Sequence, residues 1–133
     1  MTDSATPSSP ATPEGAPLDA DLQAQVDGQV RDIADVPAVE LITTVSVHLM
    51  SAAAVNLGLA EDENPTIDLD EARKIIQALA GLLTASMAFL GDQHVRPLRD
   101  GLRSLQLAFR EASPVPDPVG KGPGEDLTGP VFA

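Results

Sequence analysis

The chain has no cysteine, tryptophan or tyrosine, and only three phenylalanines in 133 residues. Without cysteine there is no disulfide framework and no thiolate metal site. That absence fits a reducing compartment. Proteins that hold single-stranded nucleic acid stack bases on aromatic side chains, and so few aromatics disfavour that mode. Basic residues are also scarce, eight Lys and Arg against twenty Asp and Glu, for a net charge of −12. Such a chain repels phosphate backbones, so direct nucleic-acid binding is not expected. The opening run MTDSATPSSPATPEGAPLDAD lacks both a basic segment and an apolar one. It does not read as a secretory signal, and the expected location is the cytoplasm.

Long hydrophobic runs are few, with one exception. Residues 41–60 carry no charge and reach membrane-spanning length. The run nevertheless contains Thr43, Thr44, Ser46, His48, Ser51, Asn56 and Gly58, a composition that inserts poorly. It reads as a helix buried in protein, with no membrane association.

What is present points to an all-α fold. The 12 Pro and 10 Gly crowd towards the ends, and residues 36–112 contain only Pro37, Pro65 and Pro97. Residues 1–17 are rich in Pro, Ser and Thr without apolar periodicity, which predicts a disordered acidic tail. Across 18–35, Leu18, Leu22, Val26, Val30 and Ile33 recur at helical spacing, a thin stripe interrupted by Gly28 that predicts at most a weak helix. Residues 36–112 form the helical domain, and 113–133 a Pro/Gly-rich tail expected to be disordered. The charge divides unevenly, −6 over 1–35, −4 over 36–112 and −2 over 113–133. A core of this size is marginal alone, because small domains bury a smaller fraction of their surface.

Three helices are expected in the domain. The first is capped by Asp35, has Pro37 in its first turn and stops at Gly58. Its main apolar face is Ala38, Leu41, Ile42, Val45, Leu49, Ala52 and Ala53. The far side, with Val47, Met50 and Ala54, is also uncharged, which predicts burial on more than one side. The second opens at Asp68 with Glu71 three residues on, a capping-box spacing. Ile67 is placed to staple onto Ala72, and Gly91 to end the helix. Ala72, Ile75, Ile76, Leu79, Leu83, Met87 and Leu90 make its stripe. The third covers about 95–112, with Pro97 confined to the first turn. Val95, Leu98, Leu102, Leu105 and Phe109 lie within roughly 80° of arc. The expected architecture is a small antiparallel three-helix unit with disordered N- and C-terminal tails.

Two surfaces stand out. Arg96, Arg99, Arg103 and Arg110 share one side of the third helix, with Leu107 beside them, a candidate face for an acidic partner, a phosphate-bearing surface or the chain's own acidic tail. The competing reading is a solvated face whose Arg stems cover core edges. The second surface is Val47, Met50 and Ala54, the candidate for self-association into a homodimer.

Other patterns point to no chemistry. His48 reads as a satisfied core residue, and His94 as a cap or neighbour of the third helix. Two histidines so far apart make no zinc site. Glu61, Asp62 and Glu63 lack the spacing of a calcium loop. Gly120-Lys121-Gly122-Pro123-Gly124 is not a phosphate loop, because no Ser or Thr follows the Lys. No serine sits in a nucleophile elbow. No cofactor, metal or catalytic residue is expected.

The stretches LITTVSVHLMSAAAVNLGLA, IDLDEARKIIQALAGLL and LRDGLRSLQLAF resemble the domain-of-unknown-function family 1844. The flanks DIADVPAVELITT and GKGPGEDLTGP look like its actinobacterial form. The resemblance implies a short cytoplasmic helical domain with no assigned activity. It also implies a gene neighbourhood of a translation initiation factor and ribosomal proteins. Many relatives have a Lys-rich turn before the third helix, whereas residues 88–94 here contain no Lys. The expected function is a non-enzymatic interaction or adaptor protein that self-associates and binds a protein partner. The alternatives are a ribosome-associated accessory factor linked to translation and, less favoured, a small-ligand binder or enzyme.

Overall fold

The computed structural model describes residues 20–27, 35–60 and 65–132. The expected tail over 1–17 and the acidic loop residues Glu61, Asp62 and Glu63 lie outside the described residues. The chain divides into two units, Met1–Pro37 and Ala38–Ala133. The first contains a short helix, α1 (20–27), in which the Gln23 side chain donates to Asp27 Oδ1 at 3.0 Å. Leu22 and Val26 are exposed on it.

The second unit contains α2 (Ala38–Asn56), α3 (Leu69–Ser86), α4 (Asp92–Ala112) and a single-turn α5 (Glu125–Thr128). No strand occurs among the described residues, only the isolated antiparallel pair Leu57 and Ile67. The three long helices pack against one another, and α5 packs on α3. Ala53, Leu57, Ile76, Leu79, Leu83, Leu98, Leu102, Leu105 and Phe109 are the main members of one buried cluster. This is the expected all-α three-helix unit.

The first helix starts directly after Pro37, so Asp35 lies in the preceding turn instead of at the cap. It ends as expected. Gly58 takes φ 75°, and its amide donates to Val55 O at 3.0 Å while that of Leu59 donates to Ala54 O at 2.9 Å. These two bonds satisfy the last carbonyls in a Schellman arrangement, which needs a left-handed residue. The Asp68 amide then donates to Asn56 O at 2.8 Å, so the chain reverses and α3 returns along α2.

The buried side of α2 agrees with the expected one at Ile42, Leu49 and Ala53 and differs elsewhere. Ser46 and Ala53 face the core, flanked by Ile42, Leu49, Met50 and Ala54, while Ala38 and Val45 are exposed. Small residues sit at the closest approach. The Ser46 hydroxyl costs little there, because it donates to Ile42 O at 2.8 Å within its own helix. Burial on more than one side does not occur. Among the described residues nothing covers the opposite side of α2, and His48 lies there exposed, not in the core.

Asp68 caps α3 as expected, accepting from the Glu71 amide at 3.1 Å. Ile67 is 58% exposed and leans over Gly58, so it does not take the expected staple position. The helix ends at Ser86, five residues before Gly91. Gly91 has φ −74° and is the N-cap of α4, so it is not a left-handed terminator. The third helix thus begins at Asp92, earlier than expected, with Pro97 inside its second turn and His94 in its first. A proline there removes one bond, to the carbonyl of exposed Gln93, which water can satisfy.

Candidate functional site

At the C-terminal end the structure differs most from the sequence expectation. Residues 113–132 follow a defined path back over α3 and α4, although they have no core of their own. Prolines end α4, and the Ser113 hydroxyl donates to Phe109 O at 2.7 Å. Asp117 is then held twice. Arg73 Nη2 donates to both its carboxylate oxygens at 3.1 and 3.0 Å, and Arg110 Nη1 donates to its carbonyl at 3.1 Å. The Arg73 guanidinium also lies 4.9 Å from the centre of the Phe109 ring, a cation–π contact.

Two glutamines clamp the next turn. Gln77 on α3 accepts from the Gly124 amide at 2.8 Å, and its own amide donates to Asp126 Oδ1 at 2.9 Å. Gln106 on α4, fully buried, donates from Nε2 to Pro123 O at 3.0 Å and to Thr128 Oγ1 at 3.1 Å. Gly124 has φ 78°, and a Cβ there would lie 2.8 Å from that of Ala80 and 3.0 Å from Gln106 Nε2. Only glycine fits that position. Glu125, also buried, accepts from the Gly120 and Val131 amides at 3.2 and 3.3 Å. It closes residues 120–131 into a loop whose Val131 side chain is buried.

The four arginines of α4 therefore separate into two pairs of roles. Arg103 and Arg110 hold the C-terminal segment, Arg103 by donating to Phe132 O at 2.9 Å. Arg96 and Arg99 remain exposed towards the start of the helix. Between the end of α3, the first half of α4 and residues 127–131 lies a cleft of about 310 Å³. Arg96, Arg99 and Arg103 line it beside Asp100, with Leu83, Met87, Leu102 and Leu127 supplying apolar walls. Leu107 is half-buried and does not line the cleft. Among the described residues no carboxylate lies within ion-pair distance of these three arginines.

A shallower depression lies between Arg73, Lys74 and the Gly120–Pro123 turn. Lys74 pairs with Glu71 at 2.9 Å, and that hydrogen bond and charge raise its pKa. Both are solvated groups of the first turns of α3. No cluster of metal-ligating side chains occurs among the described residues.

The proposed association residues do not share one environment. Val47 is 48% exposed, whereas Met50 and Ala54 pack against the core. The Met50 side chain lies directly over Gly101 of α4. The exposed side of α2 runs instead through Thr44, Val47, Ser51 and Val55, at spacings of three and four residues, with exposed His48 among them. It is uncharged but for that imidazole, and its apolar members are the two valines.

Sequence reasoning missed Gln77, Gln106, Asp117 and Glu125. A signal existed for Gln106, a polar residue on the edge of the Leu102–Phe109 stripe. The others act on partners more than forty residues away, or close a loop, and carry no local pattern.

The family model described as domain of unknown function (DUF1844) matches residues 38–111, the span of α2 to α4. The C-terminal segment lies outside that match. No curated protein and no solved structure matches the chain.

Proposed function

The chain belongs to the domain of unknown function (DUF1844) family, and from that premise we propose that it is a non-enzymatic interaction protein that pairs with a second copy through the outer side of α2. One observation carries this reading. Across its 19 residues α2 has a single charged side chain, Glu40, yet only Ser46 and Ala53 are buried. Val45, Val47 and Val55 are between 41 and 53% exposed. Leaving such apolar surface in water is unfavourable by about 25 cal/mol per Å², and exposed apolar patches mark association sites.

Net charge opposes pairing over the rest of the surface and so restricts a second copy to one place. Two chains of net charge −12 repel unless they meet where neither carries charge, and the outer side of α2 offers that surface. A membrane is a weaker candidate. The helix is long and apolar enough to cross one by length and composition. However, its other side is packed against α3 and α4. It also has no Lys or Arg, and helices that lie on membranes use those residues for attachment.

The absence of cysteine gives a clean test. Ser51→Cys places one thiol in the middle of the outer side, and Ala85→Cys places one on an exposed part of α3. A short bismaleimide should convert the first variant into a covalent dimer and leave the second monomeric. Equal cross-linking of both, or of neither, contradicts the reading.

A further inference from the structure

The arginine cleft beside the C-terminal segment is independent of the α2 surface. Arg96, Arg99 and Arg103 stand at positions i, i+3 and i+7, which spreads three guanidinium groups over roughly 10 Å of one helix side. Only Asp100 offsets them within the cleft. Three of the eight basic residues of an acidic protein are thus gathered in one place. Arg103 spends one donor on Phe132 O, and a guanidinium has five. The pocket therefore presents a surplus of positive charge and unused planar donors, the arrangement that suits carboxylate or phosphate oxygens.

The walls specify the rest of the ligand. Leu83 is buried at the base, while Met87 and Leu127 are 41 and 44% exposed at the sides. A free inorganic anion would leave that apolar surface wet. A globular partner would need an interface of about 800 Å² per side, far more than this cleft offers. Its 310 Å³ instead lies at the lower end of small-ligand sites, about 300–1,000 Å³. We infer that the cleft between α3, α4 and residues 127–131 binds a small amphipathic anion, a carboxylate or phosphate head on a short aliphatic body, through Arg96, Arg99 and Arg103.

The test is a methyl-resolved NMR titration of the full chain with hexyl phosphate, hexanoate, hexylamine, inorganic phosphate and an Asp-Asp-Asp peptide. Hexyl phosphate or hexanoate should give saturable shifts at Leu83, Met87 and Leu127. Whichever binds more tightly identifies the head group. Either should bind about 10-fold or more tightly than inorganic phosphate, the effect of burying about two methylenes. The double variant R96Q/R99Q should lose at least about 10-fold in affinity, while the methyl signals of Ile76, buried in the core away from the cleft, stay in place and report an intact fold. K74Q, which removes one exposed positive charge at the start of α3 and outside the cleft, should bind normally. Binding of hexylamine or the peptide as tightly as the alkyl anions, shifts confined to Val47 and Val55, unchanged affinity in R96Q/R99Q, or no saturation would each overturn the inference.

Discussion

Gln77 and Gln106 hold residues 123–128 from two helices, and both use a neutral amide able to donate and accept. Charge would be costly at Gln106, which is buried. Gly124 completes the arrangement by placing its backbone against Ala80 at a positive φ. Gly124→Ala should therefore destabilise the unit by about 1–3 kcal/mol and speed amide exchange over residues 123–131 before the rest, as hydrogen-exchange mass spectrometry would read. Exchange accelerated uniformly, or not at all, would show that the clamp is not local. At the start of α3, Asp68→Ala removes the acceptor for the Glu71 amide. It should lower stability by about 1 kcal/mol in urea denaturation, with no change in the denaturant slope. A midpoint equal to wild type would show that the cap contributes nothing.

At the scale of elements, the C-terminal segment behaves as a fourth layer laid across α3 and α4. Deleting residues 114–133 removes both acceptors of Gln106, the Arg73–Asp117 pair and the buried Val131, and each lost hydrogen bond costs about 0.5–1.5 kcal/mol. The truncated chain should keep most of its far-UV helical signal while its thermal midpoint falls. An unchanged midpoint would show that the segment rests on the helices without stabilising them. The segment was not legible in the sequence, because its order comes from single bonds to distant residues, such as Arg73 to Asp117. The stripes of α3 and α4 were legible, because each repeats at the period of the helix and is bounded by Asp68 or by proline. The buried side of α2 was legible only in part. With apolar residues nearly all round, periodicity could not choose a side, and small Ser46 and Ala53 decided it by permitting close packing. Periodicity consequently places Met50 and Ala54 on the outside, and the arginines of α4 on one face where the structure divides them.

For the whole molecule, net charge and the exposed side of α2 pull in opposite directions. The charge keeps chains apart in general, and the uncharged helix side lets them meet in one way. Val47 is the residue that tests this, because it is exposed, whereas a charge at Met50 would be forced against α4 and would unfold the unit. The decisive measurement is sedimentation equilibrium of the wild type and of Val47→Asp over a range of concentrations, with circular dichroism on the same samples. The wild type should have a dimeric mass and the variant a monomeric mass, at equal helicity. A wild type that stays monomeric at every concentration, or a variant that remains a dimer, would contradict it.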